Sequence, residues 1–317
     1  MTTHVGHYFI KALEEWKTAA KINTRPGHET EVGDSIRILE LLGEEAAHWV
    51  LSTSALQFIW NTDIAKTDLT DMRMPFPTMI VEYLFDYGAL GYDTNKIAPE
   101  RDLAAERFFI FHENNDTEED SIFMLAGFRL QADKDYNIPV RWVFSPVALT
   151  MTYQSLYQLN DWVKQVEGGF DVILDPAICK VVPSLPVYRE AKNDMSAEDL
   201  RAATADLFDE FKIMINLLAV LSCDNAPVVE IPAPTKLNQK RGKAGKIRLP
   251  SYRTLHISNH ESQPHRGTGT HASPRTHWRR GHIRNQPTAK GTIRRWIKPQ
   301  IINAGAAVPA KPEVVLT

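Results

Sequence analysis

The sequence predicts an α+β fold: a mixed helical and antiparallel body followed by a small basic all-β module at the C-terminus. Three observations predict it. Helical periodicity dominates the first 60 residues, β-branched and aromatic residues dominate 106–153, and the charge of the chain changes sign near residue 234. Apolar residues make up 43% and charged residues 24% of the chain, which is typical of a globular protein.

The predicted elements follow in chain order. We expect helices over 5–21, 35–51 and 54–60. Two prolines that flank Phe76 stop any helix there, and the apolar run after them fits a strand, with a buried helix as the alternative. Residues 106–153 predict an antiparallel meander, and LPVY near 185 predicts a further strand. A long core helix follows, and Ser196 with Asp199 resembles a capping box at its start.

The two parts of the chain differ strongly in charge. Residues 235–317 contain 17 Lys and Arg but only 2 Asp and Glu, so they carry +15, whereas residues 1–234 carry −18. This asymmetry indicates either a nucleic-acid-binding segment or a basic part that docks on the acidic part of the same chain. We predict an acidic body over 1–234, a basic linker over 235–249, a basic β module over 250–303 and a flexible tail over 304–317.

Several protein classes lack their usual markers. No signal peptide and no apolar run of about 20 residues is present, so we expect a cytoplasmic protein that does not contact a membrane. The two cysteines are far apart, and the sequence has no P-loop, GxGxxG, GxSxG or HExxH motif. We therefore expect no disulfide, no metal and no other cofactor.

The segment HWRRGHIR (277–284) is the richest in cationic and titratable groups. With GTIRRWIKPQII it predicts a hairpin whose loop is QPTAKG. A β-bulge at Gly281 would place Arg275, His277, His282 and Arg284 on one polar face.

The partner strand of this hairpin alternates Ile residues with Arg294, Trp296 and Lys298. Trp296 either stacks on nucleobases between these cations or packs under the N-terminal body, and the pattern leaves both possibilities open. Binding of RNA or DNA without sequence specificity is the main prediction, since no helix-turn-helix, zinc-finger or RRM signature is visible. Its predicted residues are Lys240, Arg241, Lys243, Lys246, Arg275, His277, Arg280, His282, Arg284, Arg294, Trp296 and Lys298.

Catalysis is the alternative use of the same residues. Two histidines can act as general acid and base near neutral pH, and an arginine can stabilise charge developing on a phosphate. His277, His282 and Arg284 would form the centre of such a metal-independent ribonuclease. We expect binding without catalysis, and this enzyme remains the second hypothesis.

Three stretches carry a family resemblance: MRMPFPTMIVEY (72–83), KLNQKRGKAGKIRLPSYRTLHI (236–257) and THASPRTHWRRGHIRNQPTAKGTIRRWIKPQIIN (270–303). They resemble an uncharacterised family of proteins from bacteriophages, prophages and plasmids. The resemblance implies an accessory protein of a phage or mobile element that acts in a bacterial cytoplasm, and it carries over no catalytic residue. A third hypothesis, independent of the resemblance, is an interaction protein whose acidic body or basic module blocks a host factor.

Overall fold

The structure is a computed structural model. It describes residues 7–23, 27–64, 72–90, 104–114, 120–130, 141–155, 179–205, 207–256, 277–279, 281–289 and 291–302. Helices and a mainly antiparallel sheet share these residues, which confirms the predicted α+β class.

The described helices lie mostly in the first and the last third of the chain. They are α1 (Tyr8–Asn23), α2 (Glu29–Glu45), α3 (Thr53–Trp60), α4 (Tyr87–Leu90), α5 (Arg189–Asp194), α6 (Ala197–Ala205), α7 (Phe208–Leu221) and α8 (Thr235–Lys243), with a 3₁₀ turn at Pro186–Tyr188.

The described strands form one large sheet, a three-stranded sheet and a two-stranded sheet. They are β1 (Ala47–Leu51), β2 (Thr62–Asp63), β3 (Thr78–Asp86), β4 (Ala104–Asn114), β5 (Ser121–Leu130), β6 (Arg141–Phe144), β7 (Val147–Thr152), β8 (Lys180–Pro183), β9 (Val228–Ile231), β10 (Tyr252–Leu255), β11 (His277–Arg279), β12 (Gly281–Thr288), β13 (Gly291–Ile297) and β14 (Gln300–Ile302). The large sheet has the order β8-β7-β5-β4-β3-β1-β10-β9, with β6 paired to β5. The three-stranded sheet has the order β13-β12-β2, and the two-stranded sheet consists of β11 and β14.

The large sheet is covered on both faces, because alternate residues of its central strands enter two different cores. Ile80 and Phe108 pack with α1 and α2 on one face. Their neighbours Val81 and Phe109 pack on the other face with α3, α7 and the strand pair β12–β13. Strands buried on both faces read as continuous apolar runs, which is the pattern of β3 and β4.

Three predicted elements differ from the structure. The helix expected over 35–51 ends at Glu45, and the chain turns into β1, because Ala46 is extended with ψ 142°. LPVY contains the 3₁₀ turn that begins at Pro186, and the strand lies earlier, at Lys180–Pro183. The long core helix is two helices, since Leu207 begins α7 from a turn in which its N–H donates to the carbonyl of Thr204 at 3.0 Å.

The described residues after 234 are more closely integrated with the body than the sequence predicts. Residues expected in a linker form α8, and Arg241 of that helix donates to Glu14 of α1 at 2.7 Å. β10, expected to open the C-terminal module, is instead a strand of the large sheet between β1 and β9. The hairpin strands β12 and β13 belong to a sheet separate from the large one, and the division into an acidic body and a basic C-terminal module stays a prediction.

Candidate interaction site

The hairpin formed by β12 and β13 is the centre of the site predicted from the sequence. The strands pair from His282 with Ile297 to Thr288 with Gly291, which confirms an antiparallel hairpin. The connecting loop is shorter than QPTAKG, because the ladder continues to Thr288 and Gly291 has φ 121°, a conformation that glycine adopts readily. Strand β2 joins the other edge of β12 in parallel and holds the hairpin against the body.

Trp296 anchors the hairpin in the core. Its side chain is 1% exposed, its indole Nε1 donates to the Thr62 hydroxyl at 3.1 Å, and its ring packs edge-on against Phe58. Ile283, its partner across the ladder, is also buried. Of the two alternatives for Trp296, packing under the N-terminal body is therefore the one observed, and the indole is not available to stack on a base.

Asp224 and Asn225, which follow α7, bind the hairpin to the body through hydrogen bonds. Asn225 accepts from the main-chain N–H of Trp296 at 2.8 Å and donates to its carbonyl at 3.0 Å. The Asp224 carboxylate accepts from the main-chain N–H of Arg294 at 3.0 Å, and the main-chain N–H of Asp224 donates to the carbonyl of Arg294 at 2.9 Å. These four hydrogen bonds fix which face of the hairpin points inward.

The outward face of the hairpin holds His282, Arg284 and Arg295. Arg284 and Arg295 are directly opposite each other in the ladder and both are exposed. Within the part of the chain that the structure describes, neither guanidinium is ion-paired to a carboxylate. Like charges opposite each other destabilise a ladder, so this pair leaves positive charge available to a ligand.

Gly281 does not form the predicted bulge. Arg279 pairs with Gln300 and His282 pairs with Ile297, so three steps separate the two pairings on each strand and no residue is extra. Glycine is required for another reason, since a Cβ at this position would lie 2.5 Å from Cδ of Pro299. The reason for grouping His277 with His282 and Arg284 on one face is therefore lost, and the ribonuclease centre stays a prediction.

The remaining predicted residues are dispersed. Lys240, Lys243 and Lys246 are exposed on or just after α8, whereas Arg241 is partly buried and paired with Glu14. Lys298 lies with its Nζ 6.0 Å from the centroid of the Trp296 ring. Arg275 and Arg280 lie outside the described residues, and of His277 only the backbone pairing to Ile302 is described.

An open cleft of about 680 Å³ lies beneath the inward face of the hairpin. The hairpin, the residues after α7 and the segment before β3 form its walls. Its lining residues are Arg73, Met74, Pro75, Ser222, Asp224, Asn285, Thr292 and Arg294. Sequence reasoning assigned Arg294 to the same surface as the other cations, but the structure places it in this cleft.

Sequence reasoning also missed two buried carboxylates. Glu82, in the middle of β3, accepts from the Phe9 N–H at the start of α1 at 3.0 Å, and burial raises its pKa to about 7. Glu210 of α7 accepts from the Tyr83 hydroxyl at 2.9 Å and from Arg107 at 3.0 Å. The signal for Glu82 was present, since one acidic residue interrupts an apolar strand.

A family of known proteins accounts for most of this chain. The model of the AcrVA2-like family, described as the anti-CRISPR type V subtype A2 family, matches residues 51–304. The chain belongs to this family. The AcrVA2-like segment begins at the last residue of β1 and contains α7, the hairpin and the whole cleft, whereas α1 and α2 precede it.

AcrVA2-like membership agrees with the expected origin in a phage or mobile element and favours the hypothesis of an inhibitor of a host factor over that of a nucleic-acid-binding protein. Comparison with curated proteins finds no match. None of the described helices is long and apolar enough to cross a membrane.

Proposed function

We propose that this chain inhibits a type V CRISPR system of its bacterial host, as an accessory protein of a phage or mobile element. The observation that carries the proposal is the family match over residues 51–304. The partner is a component of the host CRISPR machinery, which consists of proteins associated with nucleic acid.

Interference with an invading plasmid tests this function. Cells with a type V effector and a matching guide lose the targeted plasmid, and expression of this chain should restore its recovery to the level of a plasmid without the target. A strain with a CRISPR system of another type is the specificity control. Continued loss of the targeted plasmid, at a protein level verified by immunoblotting, would contradict the proposal.

We further propose that the outward face of the hairpin contacts phosphate groups of the nucleic acid in that machinery. The arginine pair Arg284 and Arg295 supports this, together with the exposed lysines of α8, because guanidinium and ammonium groups neutralise phosphates and release counterions. Such contacts carry no sequence information, in keeping with the absence of a recognition motif.

A filter-binding titration at two ionic strengths tests this surface, with single-stranded RNA, single-stranded DNA and duplex DNA as probes. Arg284→Gln should weaken binding and lower the salt slope by about 0.7–0.9, because one phosphate is no longer neutralised. Lys17→Gln is the control, because Lys17 is paired with Glu40 where α1 and α2 meet, far from the hairpin in the sequence. Equal retention of the wild type and Arg284→Gln on all probes would exclude this surface.

A further inference from the structure

The cleft beneath the hairpin has the donors of an anion-binding site. Asn285, Thr292 and Arg294 lie on the inward face of the hairpin, because they alternate with the outward-facing Arg284 and Arg295. Beyond the buried pair of Ile283 and Trp296 this face no longer packs on the core and instead lines the cleft. A side-chain amide, a hydroxyl and a guanidinium therefore line the same open space.

The opposite walls add a second guanidinium, that of Arg73, and the Ser222 hydroxyl, whose proton is donated to the carbonyl of Ala219 at 2.7 Å. Arg73 lies with its guanidinium carbon 4.5 Å from the centroid of the Tyr153 ring, and its Nη1 donates to the carbonyl of Met72 at 2.9 Å. These contacts hold its planar group at the cleft while leaving the residue exposed. Ser222 accepts from Arg294 Nη1 at 3.3 Å, which orients the Arg294 guanidinium.

The charge balance of the cleft favours an anion. Among the described residues that line it, two are arginines and one, Asp224, is a carboxylate, which already accepts the main-chain N–H of Arg294. An arginine binds a phosphate through two parallel N–H groups, and fixed guanidinium planes lose little entropy when they do so. Met74 and Pro75 add an apolar patch to the same walls.

We propose that this cleft binds one phosphate-bearing nucleotide unit. Arg73 and Arg294 contact the phosphate, Thr292 and Asn285 donate hydrogen bonds from the hairpin, and the base or sugar packs against Met74 and Pro75. A volume of about 680 Å³ suits a ligand of this size, since small-molecule sites span about 300–1,000 Å³. The proposal rests on the proposed function and deepens it, by naming a ligand for a site separate from the outward face.

The nucleotide unit has two sources, a free nucleotide or the phosphorylated end of a single strand. Calorimetric titration of the full chain with uridine 5′-monophosphate, inorganic phosphate and an RNA tetranucleotide with or without a 5′-phosphate separates them. Binding of the monophosphate indicates the free nucleotide. Binding of the tetranucleotide only when phosphorylated indicates a strand end.

Variants of the two arginines in the cleft test the site, and Lys17 provides the control. Arg294→Gln and Arg73→Gln should each weaken binding by about tenfold, as expected when one charge-assisted hydrogen bond to the phosphate is removed. Lys17→Gln removes one positive charge from the pair with Glu40, outside both proposed surfaces, and should change the affinity less than about twofold. An equal effect of Arg294→Gln and Lys17→Gln would overturn the proposal, because general charge attraction would then explain the binding.

Arg294→Gln also removes the hydrogen bond to Ser222, so Thr292→Val provides a second variant at an exposed position. It should weaken binding several-fold at an unchanged melting temperature. The site would be overturned if neither calorimetry nor NMR chemical shifts detected binding of any phosphate probe at millimolar concentration. It would also be overturned if an acidic peptide bound more tightly than the phosphate probes. A wild-type chain that protects the plasmid but binds no nucleotide probe would sink the cleft proposal and leave the inhibitory function standing.

Discussion

Trp296 and Thr62 are joined by a hydrogen bond of 3.1 Å from the indole Nε1 to the threonine hydroxyl, across 234 residues of sequence. This hydrogen bond turns the aromatic residue of the most basic hairpin into a core residue. On β13 the outward face carries Arg295, whereas the inward face carries Trp296 in the core and Arg294 at the cleft.

The anchoring role of Trp296 predicts a large loss of stability. Trp296→Ala should lower the free energy of unfolding by about 3–5 kcal/mol, the usual cost of emptying a large aromatic site. Thr62→Val should cost about 1–3 kcal/mol, because it leaves the buried indole N–H without an acceptor. Urea unfolding measures both. A Trp296→Ala protein as stable as the wild type but weaker in RNA binding would show that the indole faces solvent.

Glu82 predicts a pH-dependent stability. Burial raises its folded-state pKa from 4.5 to about 7, so the folded state holds its proton over a range in which the unfolded state has lost it. The contribution of this group to stability is therefore complete below pH 4.5 and falls as the pH rises to about 7, by about 3 kcal/mol in total. Glu82→Gln, which keeps an acceptor for the Phe9 N–H, should remove this loss.

The shifted pKa of His7 has the opposite effect on the pH dependence of stability. The effect of Glu82 is therefore measured as the difference between the wild type and Glu82→Gln. Burial lowers the pKa of His7 from 6.5 to about 4, and its contribution is lost as the pH falls through that range. Both proteins contain His7, so its contribution cancels in the difference between their free energies of unfolding. Urea midpoints at about pH 5 and pH 8, on either side of the raised value, give the difference. Parallel stability curves would contradict the raised pKa of Glu82.

The arginine pair of the hairpin predicts opposite effects on stability and on binding. Arg295→Glu places a carboxylate opposite Arg284, so the ladder should gain about 0.2–1 kcal/mol. The same change should lower retention of oligonucleotides, since one positive charge on the outward face is reversed. Thermal melting and filter binding on one protein batch measure both. A fall in melting temperature would show that the two arginines are not neighbours.

The close approach of Gly281 to Pro299 predicts that a side chain at position 281 is destabilising and that a smaller residue at position 299 relieves the clash. Gly281→Ala should cost about 1–3 kcal/mol, because the added methyl group meets the ring of Pro299. The double variant Gly281→Ala/Pro299→Ala should recover most of this loss. Gly33→Ala is the control, since its Cβ in α2 would meet nothing within 4 Å and helical alanine is favoured by about 0.5–1 kcal/mol. If the double variant is as unstable as Gly281→Ala, the loss of stability does not come from contact with Pro299.

Elements with a strong local pattern were predictable from the sequence. The periodicity of α1 and the apolar runs of β3, β4 and β5 indicate their structure directly. The capping box is also local, with Ser196 and Asp199 bonded to each other at the start of α6. Residues within a few positions of each other carry these patterns, so the sequence alone indicates them.

Features decided by distant contacts were not predictable. The alternation of β13 defines two faces but not which of them is inward, and Thr62 and Asn225 decide that. β1 follows a helix without a break in composition, and its strand pairing depends on β3 and β10. The cleft likewise requires Arg73 and Arg294 to meet from segments that are far apart in the sequence.

The parallel pairing of Trp49 with Arg253 limits how the polypeptide can be shortened. A fragment that stops at residue 234 lacks β10, so β9 loses its only described neighbour and β1 becomes an open border of unsatisfied main-chain groups. An exposed sheet edge of this kind can pair with strands of other chains, which promotes aggregation. Residues 1–234 expressed alone should therefore aggregate. Deletion variants that map the inhibitory activity should keep all residues from β1 through β10.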